Sequence, residues 1–202
     1  MKGYFYRVGE QTPTKFWINN VTVQQAKLAL ENGAVGCTQN PSYTWKILTG
    51  EDKDSAVKIM DELIREEADD GEVLVKLQRA LVERVAEKFM PLYEASHGTK
   101  GYVSIQGNPF DESEESIVRY ARYNCANYPN IMAKVPATED GLKAIRTLLS
   151  EGTPINATEV MSLRQAVDVC EIYDEVTADL VKKPVTYYSH IAGIFDEHLK
   201  AT

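Results

Sequence analysis

The sequence predicts a parallel α/β fold of the (β/α)8 TIM-barrel type, with about six βα units present and the C-terminal units missing. Short apolar runs of four to six residues alternate with helical stretches along all 202 residues, which is the rhythm of a parallel sheet. No Gly-x-Gly-x-x-Gly follows the first run, so an open dinucleotide-binding sheet loses its main support. Each run also finishes on a polar residue, as strands do where their carboxyl ends converge on the mouth of a barrel.

Residues 14–19 read as the first strand. A helix over 23–32 follows, with Thr22 placed to cap it and Gly33 placed to stop it. Residues 34–38 form the second strand and run into Gln39-Asn40-Pro41-Ser42, a turn that opens the next helix. Apolar residues at helical spacing then cover 55–68 and 72–95, parted at Asp69-Asp70-Gly71. The chain is thus read as one partial barrel domain, residues 1–202, with a helical insertion at about 53–97 between the second and third strands. Strands at 101–106, 131–135, 153–158 and 184–189 alternate with helices at 113–126, 139–149, 162–180 and 192–200. Thr138 is placed to cap the helix after the fourth strand.

A hydrophobic fraction of 44% and a charged fraction of 26% are ordinary for a globular protein. The net charge of −8 argues against nucleic acid or an anionic membrane as partner. Cys37, Cys125 and Cys170 are odd in number and widely spaced, which suits neither a disulfide framework nor a metal-ligand cluster. They are expected as reduced, mostly buried thiols. With no signal-peptide pattern and no long apolar span, the cytoplasm is the expected compartment.

The most informative stretch is the fourth strand, where Lys134 sits among Ile131, Met132, Ala133 and Val135. Burying an ammonium is costly and lowers its pKa, and an amine so depressed is a nucleophile able to form a Schiff base with a carbonyl. The ordinary alternative is a lysine on an edge strand or one that snorkels to water. The other strand ends decide between them. Side chains two apart share a face, which aligns Trp17 with Asn19, Thr38 with Asn40, Ser104 with Gln106, Asn156 with Thr158, and Tyr187 with Ser189. Six strand ends in register, a lysine among them, favour a site at the barrel mouth.

Three segments carry a family resemblance. Val35-Gly-Cys-Thr-Gln-Asn-Pro-Ser42 is similar to the second-strand Thr-x-Asn-Pro-Ser motif of the transaldolase family. Met132-Ala-Lys-Val-Pro-Ala-Thr-Glu-Asp-Gly-Leu-Lys-Ala-Ile145 resembles its Schiff-base segment, and Glu151-Gly-Thr-Pro-Ile-Asn-Ala-Thr158 its fifth strand. The resemblance implies that Lys134 is the Schiff-base nucleophile. It implies that Thr38 and Asn40 bond substrate hydroxyls, that Asn156 and Thr158 orient the carbinolamine and a water, and that Ser189 lines a sugar cleft. It further implies a three-carbon ketol unit, transferred or cleaved from a sugar-phosphate substrate without metal or cofactor.

The chain departs from that pattern at several points. Asn19 stands where the family carries an Asp general acid/base, and an amide cannot take a proton. Losing a general base costs about 10²–10⁴ in rate. Gln106 stands where transaldolases carry Glu, as it does in fructose-6-phosphate aldolases. Ile194 replaces a phosphate-binding Arg, and Ile191 the catalytic Tyr of the aldolase branch. Asp111 and Glu159 are weak candidates for a substitute base, because strand alternation turns Glu159 away from the mouth. His190 is expected in a loop with a structural role. Six units leave the first and sixth strands as edges, which implies a shortened chain or a second copy covering them as a homo-oligomer; the shortened chain is the preferred expectation. The alternative function is a catalytically inactive homologue that binds a sugar phosphate or a protein partner.

Overall fold

The structure is a computed structural model and describes residues 3–200. Six strands run parallel in sequential order: β1 (Phe16–Asn19), β2 (Ala34–Gln39), β3 (Tyr102–Gln106), β4 (Ile131–Pro136), β5 (Ile155–Val160) and β6 (Thr186–His190). Helices fill the intervals: α1 (Tyr4–Gln11), α2 (Val23–Glu31), α3 (Ser42–Leu48), α4 (Lys53–Glu66), α5 (Asp70–Ala95), α6 (Glu114–Cys125), α7 (Glu139–Ser150), α8 (Leu163–Thr177) and α9 (Ala192–Lys200). Six parallel strands curl with helices between them into an α/β half-barrel, as the alternation of strand and helix signals predicts.

The pleat sorts each strand's residues by face. Cys37, Val103, Ile105, Ala133, Val135, Ile155 and Ala157 point outward and are buried against helices. Two clusters result: α2 and α5 cover the first three strands, while α6, α7 and α8 cover β4 and β5. At about 25 cal/mol per Å² of apolar surface, this outer layer supplies the main stabilisation. The inward residues fall into register across the sheet. Asn19 pairs with Thr38, Thr38 with Ser104 and Ser104 with Met132. Higher up, Gln106 pairs with Lys134, Lys134 with Asn156 and Asn156 with Tyr187.

Curvature shows in contacts that skip a strand. Asn156 Nδ2 on β5 donates to Ser104 Oγ on β3 at 3.2 Å, passing over β4. Barrels fill their interior in this way, by layers drawn from alternate strands. The two ends of the strand order also meet across the concave side: the Trp17 and Tyr187 rings lie 5.0 Å apart in an edge-to-face arrangement, a favourable aromatic geometry. Gly36 makes room for the indole, since a Cβ there would come within 2.7 Å of the Trp17 ring.

Helix starts follow the side-chain chemistry of the sequence. Thr22 and Ser162 build capping boxes with Gln25 and Gln165, and Asp69, Ser113 and Thr138 accept from backbone amides three residues on. Asp69 therefore caps α5 rather than only breaking the helical run. One helix lies outside the sequence expectation: α1 has no buried residue and no side-chain cap. Tertiary contact holds it, through a stack of Phe5 on Phe16 at 4.5 Å and the close approach of the Tyr6 backbone to Gly33. Among the described residues no helix is long and apolar enough to cross a membrane.

The turn from β4 into α7 is closely packed. A Cβ on Gly141 would lie 1.8 Å from the Pro136 carbonyl oxygen, so the helix can sit this near the strand only with glycine there. Gly141→Ala is therefore expected to destabilise the fold by about 3 kcal/mol in urea unfolding, the upper range for overpacking. Gly193→Ala, whose methyl would meet nothing within 4 Å, is expected not to destabilise it.

Candidate active site

Lys134 projects from β4 into the concave face, between Met132 and Pro136 on the same side of the strand, both buried. Its ammonium donates to Asn40 Oδ1 at the end of β2, two strands away. Burial lowers the Lys134 pKa, and the charge of Glu159 offsets that in part. The neutral amine is thereby more accessible than in an ordinary lysine, as a nucleophile requires.

The Asn40 amide passes the contact on. Its Nδ2 donates to Asn19 Oδ1 at 3.4 Å, and Thr38 Oγ1 donates to the same oxygen at 2.9 Å. Asn19 is exposed at the end of β1 and serves as a double acceptor. A second group lies beside the first: Asn156 donates to Ser104 and accepts from Ser189 Oγ at 2.8 Å. Trp17, Thr38, Asn156, Tyr187 and Ser189 border a hollow of about 170 Å³ on this face. Thr158 is buried on β5, level with Pro136. Gln106 stands beside Lys134 in register, but its Nε2 donates to Glu112 Oε1 at 3.1 Å. The eight residues named from the sequence thus lie on, or just beyond, all six strands.

Two further groups emerge from the coordinates. Glu112 lies in the loop after β3, bonded to Gln106. Its carboxyl is pushed up by burial first and by the charge of Glu159 second, with the Gln106 bond acting against them. Glu112, Gln106 and Lys134 border a cavity of about 10 Å³, about the size of one water. Glu159 lies at an irregularity in β5. The β5–β6 register breaks between Ala157 and Val160, and Glu159 takes a left-handed backbone with φ 59°. Its charge consequently acts on both Lys134 and Glu112. No sequence signal marks this bulge, because Glu is not a residue that favours positive φ.

Other candidates take lesser places. Asp111 is exposed, accepts from the Ser113 hydroxyl and backbone amide, and is held below the usual carboxylate range by those bonds. His190 ends β6 rather than sitting in a loop, its Nδ1 2.8 Å from the Val160 carbonyl. Ile194 is half exposed on α9. Burial pushes the Cys37 and Cys125 thiols up to about 12. Cys170 is exposed on α8, contrary to the expectation of mostly buried thiols, because it falls on the outer face of a helix whose inner face carries Val169 and Ile172. Among the described residues, no group of three or more His, Cys, Asp or Glu could hold a metal ion.

Comparison with known proteins finds related sequences. The family model described as Transaldolase/Fructose-6-phosphate aldolase matches residues 16–201. A transaldolase of Trichodesmium erythraeum is 26% identical, covering 95% of this chain and 56% of the relative. A transaldolase of Thiobacillus denitrificans is 29% identical over 73% of this chain and 42% of the relative. That of Saccharopolyspora erythraea is 32% identical over 73% and 40%. The chain thus spans about half the length, or less, of these relatives.

The lysine environment has a thermodynamic consequence. The folded pKa of Lys134 lies below its unfolded value, so the unfolded chain binds the extra proton and stability rises with pH across that interval, up to about 10.4. Lys134→Met, which removes the buried amine at similar length, is expected to be more stable than the parent at pH 7, with the gap closing as pH approaches about 10. Urea unfolding across that range checks it; a methionine variant less stable at pH 7 contradicts the burial cost.

Proposed function

The chain belongs to the transaldolase and fructose-6-phosphate aldolase family, and from that premise we propose that Lys134 forms a Schiff base with a sugar-phosphate carbonyl. The product of that chemistry is transfer or cleavage of a three-carbon ketol unit. The observation that carries the reading is the lysine itself, half-buried on the fourth strand with its pKa lowered and its amine fixed by Asn40. The neutral amine adds to the carbonyl, the carbinolamine loses water, and the resulting iminium withdraws electrons from the neighbouring carbon–carbon bond. Cleavage leaves an enamine on Lys134.

The other residues follow in supporting roles. Thr38, Asn40 and Asn19 present oxygen and nitrogen atoms to substrate hydroxyls. Asn156 and Ser189 line the sugar cleft beside the Trp17–Tyr187 pair. Asn156 and Gln106 stand beside the lysine in register, and Asn156 with Thr158 orients the carbinolamine and a water. The chemistry requires neither metal nor cofactor. The expected compartment is the cytoplasm, a reading supported by three cysteines that remain unpaired.

A second reading, a homologue that binds a sugar phosphate or a protein partner without turnover, is favoured by one observation. Asn19 carries an amide where the family's acid/base stands, and its oxygen is occupied by Thr38 and Asn40. Borohydride reduction with fructose 6-phosphate or dihydroxyacetone, followed by peptide mass spectrometry, separates the two. The expected outcome is a stable adduct on the Lys134 peptide, abolished in Lys134→Met. Substrate binding without an adduct supports the non-catalytic reading.

A further inference from the structure

Two adjacent asparagines close the first strand, and their side chains do different work. Asn19 Oδ1 accepts from Thr38 and Asn40 on the concave face. Asn20, the next residue, takes a left-handed backbone with φ 49°, a conformation that asparagine tolerates better than most residues with a side chain. Its Oδ1 reaches the end of β2 and accepts from the Asn40 backbone amide at 2.8 Å. Its own amide donates to the Thr38 carbonyl at 2.9 Å, and its carbonyl accepts from the Lys46 ammonium.

We propose that Asn20 is a positioning residue for the Lys134 amine: its side chain fixes the Asn40 backbone, and Asn40 Oδ1 then sets where the attacking nitrogen stands. This inference rests on the Schiff-base reading of Lys134. Asn20 acts through Asn40 and takes no part in making or breaking bonds.

Contacts in series support this. Asn40 is the first residue beyond β2, outside the register of the β2–β3 pair. Its amide is taken by Asn20, and its carbonyl accepts from the Tyr43 amide at 2.9 Å in the first turn of α3. Tyr43 is itself buried in the core. With both backbone groups of Asn40 held, its side chain serves two neighbours. The Lys134 ammonium carries only donors, so it takes Oδ1, and Nδ2 donates to Asn19 Oδ1 at 3.4 Å. Asn20 is anchored in turn from outside the site. Lys46, which holds its carbonyl, also donates to Gln25 Oε1 at 3.1 Å, and Gln25 belongs to the capping box that starts α2. Position is what such a chain of contacts controls, since a displacement of about 1 Å in a reacting group can cost about 10² in rate. A left-handed residue other than glycine is also the kind of backbone cost that gathers at functional sites.

The test follows the borohydride-trapped Lys134 adduct on the full chain over a range of dihydroxyacetone concentrations, which separates the saturating rate from the half-saturating concentration. Asn20→Gly accepts the left-handed backbone at no steric cost and deletes the side chain alone. It is expected to lower the saturating rate about 10- to 10²-fold and to leave the half-saturating concentration within a few-fold. Asn20→Asp keeps an acceptor oxygen on a residue that tolerates the same backbone, and is expected to stay within a few-fold of the parent. In an Asn40→Ala background, itself slow, Asn20→Gly is expected to add no further loss, because its effect passes through Asn40. A parent-like rate in Asn20→Gly overturns the proposal and leaves Lys134 standing. An undiminished further loss in the Asn40→Ala background does the same. So does a tenfold loss in Asn20→Asp, an arm that holds even where the glycine variant does not fold. A parent with no adduct overturns the Schiff-base reading and this inference with it.

Discussion

The contact between the Lys134 ammonium and the Asn40 amide is the interaction on which the concave face depends. A cation placed among Met132, Pro136 and the neighbouring strands must find a partner or lose its proton. Asn40 supplies a neutral oxygen, which holds the amine without the stabilisation of charge that an ionised partner would bring. The lysine stays fixed in position and reduced in basicity at once, and a carbonyl-attacking amine needs both. An aspartate at position 40 would fix the same nitrogen and raise its pKa.

That contact in turn depends on the curl of the sheet. Neighbouring parallel strands place their inward residues side by side, while curvature brings together residues from alternate strands. Lys134 on β4 reaches Asn40 beyond β2, and Asn156 on β5 reaches Ser104 on β3. Curvature is maintained from both sides. Helices bury the outward aliphatic residues, and the edge-to-face Trp17–Tyr187 contact joins the two ends of the strand order. A flat sheet with the same sequence would leave each of these polar side chains facing solvent separately.

Much of this was legible in the residues themselves. A lysine in an apolar run is a local conflict, and such conflicts mark functional positions. The period-two alternation carried Asn19, Thr38, Ser104, Asn156 and Ser189 to one face, because a regular strand obeys it. Strand regularity lapses at Glu159, where the register shifts and the backbone turns left-handed, and the residue type gives no warning of it. Glu112 was equally hidden, since a loop has no period to read. Helix α1 escaped because its stability comes from contact with Phe16 and Gly33 rather than from an apolar stripe of its own. The Gly141 of the β4–α7 segment belongs to the legible part only in hindsight of packing: a carbonyl 1.8 Å from its absent Cβ explains why that position is glycine.

Direct titration of Lys134 by NMR, after reductive ¹³C-dimethylation of the lysines and assignment by the Lys134→Met spectrum, tests the central claim most plainly. The result expected is a midpoint clearly below the usual lysine value of about 10.4, moving further down when Glu159 is replaced by glutamine. A midpoint at or above the usual value would contradict a buried, activated amine.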